Sequence, residues 1–409
     1  LMGASLALTT FGCVRRPAQK IIPYAKKPDE VVHGIPDYYS SSFFDGSEAF
    51  GIVVQTRDGR PIKIEGNANH PSTQGGMSAR AHAHILKLYD PDRLHGPLRN
   101  LQNEKKTNNE SVNMTWEKMD EELVAHFQKG KVALLTSSIP SPSIQAVMDG
   151  FKKQTGAKSY VYDEIGYDDV REGQKLSYGQ SGIPEYRIDK AKYILAVNND
   201  FLGTWMTPVA FQKQFAQGRK PNQDMSKLVV VESLMSLTGV NADERFQIRP
   251  SQTLDFLMGL AHQLNSVMKV GGASSNSAIT SALGKYSTAE KDLGLPEGTI
   301  AQIAKEISKH RGESLVLAGG MSSRSKDSVA IQVAVNLINS ILGNEGSVIG
   351  PARDLRTTQG SFEDVSKLIR SMEAGEVKTL VIYGLNPSYS LPQASKFQEA
   401  LRKVETVVY

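Results

Sequence analysis

Two acidic pairs, Asp163-Glu164 and Asp168-Asp169, lie just past the β-rich run Ser159-Tyr160-Val161-Tyr162. Paired carboxylates so placed can exchange protons or hold a metal, although a loop after a strand more commonly leaves them in solvent. His82 and His84 would share a face only on a strand. The stretch from Ala79 to Leu88 reads as helical, so the two do not form a joint ligand pair. Gly319-Gly320 and Gly384-Leu385-Asn386-Pro387 each follow an apolar run, at the kind of turn where α/β proteins bind nucleotides. Neither is a GxGxxG fingerprint or a P-loop. The one cysteine, Cys13, permits no internal disulfide and cannot alone hold a cysteine-ligated cluster. No Ser/His/Asp constellation or zinc motif stands out.

The elements that must position these residues alternate along the chain. Buried-type strands are expected at Val132–Leu135, Ser159–Tyr162, Tyr193–Val197, Leu228–Val231, Leu315–Ala318, Leu380–Tyr383 and Thr406–Tyr409. Ile144, Val147, Met148 and Phe151 form one helical face, and Leu254, Leu257, Met258, Ala261 and Leu264 another, with Ser251 or Thr253 as N-cap. Continuous apolar strands between amphipathic helices predict α/β architecture, with two doubly wound parallel-sheet units. A hairpin precedes them, Gly51–Thr56 returning through Asp58-Gly59 to Pro61–Gly66. Lys269–Ser287 is Gly/Ser-rich and reads as a surface loop.

The expected division is therefore as follows. Residues 1–50 are an export-signal-like segment and extended arm, and 51–115 a small β-rich domain. Residues 116–190 with 311–409 form the first α/β unit, and 191–310 the second. The arm carries Pro28, Pro36 and the aromatics Tyr38, Tyr39, Phe43 and Phe44 without helical period. Together with Leu1–Gly12 it is expected to bind outside its own domain, against membrane or neighbouring subunits.

Composition narrows the function classes. Of 409 residues, 40% are hydrophobic and 22% charged, which excludes a disordered chain. Lys and Arg number 47 against 43 Asp and Glu, a formal charge of +4, with no concentrated basic stripe to suggest a nucleic-acid partner. No apolar run approaches the roughly 20 residues of a membrane span. Leu1–Gly12, followed by Arg15-Arg16-Pro17, resembles the core of a secretory or twin-arginine export signal whose charged start lies upstream. Gly12-Cys13 offers a lipid-attachment position at Cys13, for which Thr10 and Phe11 are a poor fit. The terminal strand-like run Glu405–Tyr409 predicts that the polypeptide continues.

Several blocks in register resemble the dimethyl sulfoxide reductase-type molybdopterin oxidoreductases. They are Asp58-Gly59-Arg60 with Glu65-Gly66-Asn67 and His70-Pro71; Gly75-Gly76-Met77-Ser78-Ala79-Arg80; Leu88-Tyr89-Asp90-Pro91-Asp92-Arg93-Leu94; and Phe246-Gln247-Ile248-Arg249-Pro250-Ser251-Gln252-Thr253. Ala374-Gly375 through Gly384-Leu385-Asn386-Pro387 and Leu391-Pro392 complete the set. Asn199–Pro208, Phe215–Arg219, Glu232–Arg245 and the arm Arg16–Tyr24 resemble the molybdopterin-like B subunits of bacterial alternative complex III, in the half that precedes a ferredoxin-like half. That resemblance implies a quinol-oxidising membrane complex on the periplasmic face of the inner membrane. The implied partners are multihaem and monohaem cytochromes c, integral membrane quinol-binding subunits and the chain's own ferredoxin-like half, which would carry the iron–sulfur clusters.

Departures from the resemblance shape the expected function. Active members ligate a [4Fe–4S] cluster through four cysteines. Here the last position is Ser78, the earlier ones, around Phe50 to Val54, are not cysteine, and Arg80 stands where a Lys is common. The loop Asp163–Gly173, where a Cys, selenocysteine or Ser would ligate molybdenum, has neither Cys nor Ser. The resemblance with these departures implies a redox-silent scaffold with no catalytic, cofactor-binding or metal-binding residue in this segment. Its dinucleotide cleft is expected to be partly filled, with the Phe201 ring near the guanosine position. One alternative is an active molybdenum oxidoreductase with an unusual ligand such as Asp168. Another is a soluble α/β nucleotide-binding module.

Overall fold

The computed structural model describes residues 29, 31–46, 48–101, 110–221, 224–321, 324–353 and 359–409. Leu1–Gly12, Cys13 and the arm through Tyr24 lie outside the described residues. The expected α/β architecture is present, with two four-stranded parallel sheets.

The first sheet runs β15 (Thr406–Val408), β14 (Thr379–Tyr383), β6 (Val132–Thr136), β7 (Lys158–Val161). The second runs β11 (Glu244–Gln247), β10 (Lys227–Glu232), β9 (Tyr193–Val197), β12 (Ser314–Ala318). In the second sheet, alternation assigns each face its own core. Leu195, Val197, Val229, Val231 and Val316 meet the helices Thr253–His262, Thr299–Ile307 and Ser328–Leu342. Ile194, Ala196, Leu228, Val230 and Leu317 meet Trp205, Phe211 and Val170 on the other side. Both faces are covered, which is why these strands read as continuous apolar runs.

Strand order corrects the expected division. β12 pairs with β9, not with the first sheet. The helix that follows it, Ser328–Leu342, packs on the helix Asp168–Tyr178. A ribbon of β8 (Ile183–Tyr186) and β13 (Ile349–Arg353) closes the same unit. The second unit therefore reaches from about residue 168 to 353, not 191 to 310. An apolar run declares that it is buried, but not which sheet it joins.

The small N-terminal domain is also larger than expected. β1 (Asp37–Asp45) pairs antiparallel with β2 (Glu48–Arg57), which returns through Asp58-Gly59 to β3 (Arg60–Gly66). Both turn residues take positive φ, 50° and 77°, as a two-residue hairpin requires. From Asp37 the aromatic segment is thus a strand of its own domain rather than a strap across a partner. Phe43 lies 6.4 Å from the buried Phe50 ring and 4.5 Å from His84. The run Ser40-Ser41-Ser42 hides the alternation. β4 (Leu98–Leu101) and β5 (Glu110–Asn113) form a further ladder.

Two local expectations change as well. Lys269–Ser287 contains the helix Ser277–Gly284, capped by the Asn276 side chain and anchored by fully buried Leu283. In the helix Pro142–Thr155, Ile144 and Val147 face outward, while Phe151 packs edge-on against Phe127 at 5.1 Å. No helix of the described residues is long and apolar enough to cross a membrane.

Candidate functional site

Open parallel sheets bind ligands outside the carboxyl ends of their strands, where the order of connection reverses. In the second sheet that point lies between β9 and β12; in the first, between β6 and β14. Gly319-Gly320 and Gly384 sit at these ends, with φ of 84°, 156° and 74°, so the glycines fall where the sequence reading placed them.

The crevice at the second switch point is nearly closed. Tyr167, Asp169, Thr204, Trp205, Gly320 and Arg324 line a cavity of about 10 Å³, room for about one water. Trp205 is buried and wedged between Phe211, at 5.8 Å, and Tyr186, at 5.2 Å. A Cβ on Gly320 would stand 3.3 Å from the Asn198 carbonyl oxygen. The Phe201 ring does not enter this crevice. It is fully buried in the core and meets Phe215 edge-on, because its register after β9 turns it under the sheet. Trp205 takes the part expected of Phe201.

Several donors at these strand ends are engaged within the chain. Asn198, at φ 47°, accepts the Ser233 N–H at 2.9 Å. Asp200 accepts both the Thr238 N–H, at 3.0 Å, and its hydroxyl, at 2.8 Å. Glu232 accepts the Ser236 hydroxyl at 2.6 Å and Arg245 Nε at 2.7 Å. Tyr167 accepts the Met206 N–H at 2.7 Å, and Glu48 accepts Val209 N–H at 3.0 Å, at the start of the helix Pro208–Gly218. The loops after β9 and β10 are stitched to one another rather than open to an anion.

The first switch point shows the same economy. Asp163 accepts the Ser138 N–H and hydroxyl and the Gly360 N–H, at 2.8, 2.6 and 2.7 Å. Ser138 in turn accepts the Gln359 N–H at 2.6 Å. Asp168 is paired with Arg171 at 2.6 Å and sits within 3.4 Å of the Phe362 N–H. Burial pushes the Asp169 carboxyl above its ordinary range, opposed by the N–H of Val170. The four acidic residues are thus not one site: Asp163 is a fastener, Glu164 lies exposed, Asp168 is an ion-pair partner and Asp169 a crevice wall.

Ser78 and Arg80, expected from the resemblance to be degenerate cluster positions, take part in the local fold. Ser78 caps the helix Ala79–Ala83, its hydroxyl accepting the Ala81 N–H at 3.1 Å. Arg80 lies exposed on that helix. Phe50 and Ile52 join Ile64, Ala81 and Val209 in a buried apolar cluster. His82 bonds the Ile64 carbonyl at 2.9 Å while His84 faces Phe43. Among the described residues, no three His, Cys, Asp or Glu side chains converge to hold a metal.

The residues present therefore do not fit a pterin dinucleotide or a cysteine-ligated cluster. Among the described residues the crevice is small, several loop donors are engaged, and no cysteine stands at the positions where the resemblance expects cluster ligands. Glu48, Tyr167 and Asn198 were not singled out from the sequence. Of these, only Asn198 carried a signal, as an Asn at a strand end, where Asn tolerates positive φ.

No profile of a known protein family matches the chain. It is 26% identical, over 378 residues, to a menaquinone reductase molybdopterin-binding-like subunit of Nitratidesulfovibrio vulgaris, covering 87% of this chain and 53% of that one. It is 26% identical over 230 residues to the molybdopterin-containing subunit of an arsenate respiratory reductase from Shewanella, covering 51% of this chain and 25% of that one. Among solved structures, acetylene hydratase from Pelobacter acetylenicus superposes with a TM-score of 0.65 at 11% identity, covering 90% of this chain and 58% of that one. The chain spans about half the length of the menaquinone reductase subunit it matches. In sequence the chain is similar to molybdopterin-binding subunits of respiratory oxidoreductases, and in fold to acetylene hydratase.

Proposed function

We propose that this chain is a redox-silent scaffold within a respiratory membrane complex of the alternative complex III type, docking and orienting electron-transfer subunits at the periplasmic face. The observation that carries the reading is the use of strand-end donors by Asn198, Asp200 and Glu232. These bonds tie the loops after β9 and β10 to one another. That same rigid segment presents Leu234, Met235, Leu237 and Val240 to solvent, Leu234 at 74% exposure. Four large apolar side chains on an uncharged stretch suit a protein contact better than water.

In this reading, iron–sulfur clusters belong to a ferredoxin-like half of the polypeptide, and cytochromes c and quinol-binding membrane subunits are the partners. Similarity to a menaquinone reductase subunit supports a place in a quinone-linked complex. The rival, a molybdenum oxidoreductase ligated by Asp168, is disfavoured by the engagement of both Asp168 oxygens. Isolation of the complex from native membranes through a tag on this polypeptide tests the scaffold reading. Cytochromes c and integral subunits should accompany the wild type and be lost from a Leu234→Asp/Met235→Asp variant that remains folded. A wild-type chain that leaves the membrane without such subunits contradicts it.

A further inference from the structure

A cavity of about 240 Å³ lies at the joint between the small β domain and the second α/β unit, away from both switch points. One wall is the loop carrying Ser72 and Gln74; the other comes from the turn Ile188–Lys190 and the helix Pro208–Gly218. The two walls are already held close. Glu48 bonds the Val209 N–H, and a Cβ on Gly76 would stand 2.8 Å from Val209 Cγ1.

Its lining has surplus donors. Lys190 and Lys213 both line the cavity, and neither side chain makes a hydrogen bond or ion pair among the described residues. Gln214 spends its oxygen on the Ile188 N–H at 2.8 Å, and Gln74 spends its oxygen on Gln217 at 3.4 Å, so each retains its amide donors. Arg187 and Glu185 neutralise one another at 3.3 Å. What remains is two ammonium groups and two amides, with the Ser72 hydroxyl held only by a long 3.4 Å contact to His70 Nδ1, against one carboxylate, that of Asp189.

We propose that this cavity binds a phosphate-type oxyanion, which ties the small β domain to the second unit. Two ammonium groups supply charge-assisted bonds, and the amides and hydroxyl complete a shell that water alone fills less well. A bound oxyanion links Lys213 of one wall to Ser72 and Gln74 of the other. It thereby stiffens the loop that leads into the Ser78 cap. The proposal does not depend on the scaffold reading, since it uses none of the strand-end residues.

The source of the phosphate is either the free ion or a lipid headgroup, and the test separates them. Purified full-length protein is titrated with inorganic phosphate against potassium chloride of equal ionic strength, following thermal unfolding and hydrogen exchange of residues 70–78. In parallel it is sedimented with vesicles of phosphatidic acid and of phosphatidylcholine. Saturable stabilisation by phosphate, with slower exchange in the loop and at least tenfold weaker binding in Lys190→Ala/Lys213→Ala, supports the free ion. Phosphatidic-acid binding that phosphate competes away and the double variant loses supports the lipid. Lys118→Ala, on a separate unit, should behave as wild type. A phosphate response no different from chloride, together with vesicle binding indifferent to the double variant, overturns the proposal.

Discussion

The Asp163 carboxylate holds the Ser138 hydroxyl at 2.6 Å, and its second oxygen holds the Ser138 backbone N–H at 2.8 Å. With the Gly360 N–H at 2.7 Å, one side chain fastens the end of β6 to the turn before the helix Phe362–Glu373. Asp163→Ala leaves these donors without their acceptor in a crowded place, where a Cβ on Gly360 would stand 2.2 Å from the Asp163 nitrogen. Hydrogen bonds to a charged group contribute about 1.5–3 kcal/mol each. Urea unfolding of the variant should show a loss of about 3 kcal/mol, with a smaller loss for Asp163→Asn. A loss below about 1 kcal/mol would contradict this role.

Glu232 presents a second fastener. It is 4% exposed as a side chain and bonded to Arg245 and Ser236. Breaking a buried pair by removing one partner costs about 3–5 kcal/mol. Glu232→Ala should fall near the lower bound, since Arg245 keeps 25% exposure, and should speed exchange across residues 233–241. Glu232→Gln should retain most of the order. Equal stability of all three proteins would show that the segment is held by something else.

Trp205 closes the crevice at the second switch point. Trp to Ala at a buried site costs about 3–5 kcal/mol and leaves a cavity. Trp205→Ala should therefore unfold at lower temperature and regain part of that loss with indole. If indole leaves the variant's Tm unchanged while the fold persists, the crevice has collapsed and Trp205 is not what fills it.

Two titrating groups give stability slopes of opposite direction. Burial raises Asp169 above its ordinary 3.8, so the native state keeps a proton that the unfolded chain has lost. Stability then falls as pH rises from 3.8 through the folded value, and stays reduced at neutral pH. Asp169→Asn should raise Tm at neutral pH and match wild type in stronger acid. Burial lowers His262 below 6.5, and its Nδ1 has no hydrogen-bond partner among the described residues. Stability should fall as pH drops from 6.5 through the folded value, and His262→Gln should flatten that limb. Variants that leave the pH–Tm curve unchanged would contradict both assignments.

Much of the fold was legible because both faces of each parallel sheet are buried. Tyr193–Val197 and Leu228–Val231 announce themselves by unbroken apolar runs. β1 did not, since Ser40-Ser41-Ser42 carries no alternation and the strand is recognised only through its pairing with β2. The place of β12 beside β9 is a long-range choice that no local pattern encodes. At the site, the lack of cysteine was plain in the sequence, but the consequence was not. Ser78 as a helix cap, Asp163 as a fastener and Trp205 as the crevice wall depend on contacts between segments far apart in sequence. The lysines at the domain joint were invisible for the same reason, as Lys190 and Lys213 meet the Ser72 loop only in the folded chain.

The molybdenum content of the native polypeptide, isolated from its own cells and measured per chain with acid-released guanine dinucleotide, tests the redox-silent reading most directly. The closed crevice and the engaged strand-end donors predict neither metal nor pterin at a meaningful fraction of one per chain. Molybdenum and pterin approaching one each per chain would contradict it and turn attention to Asp168 as the ligand.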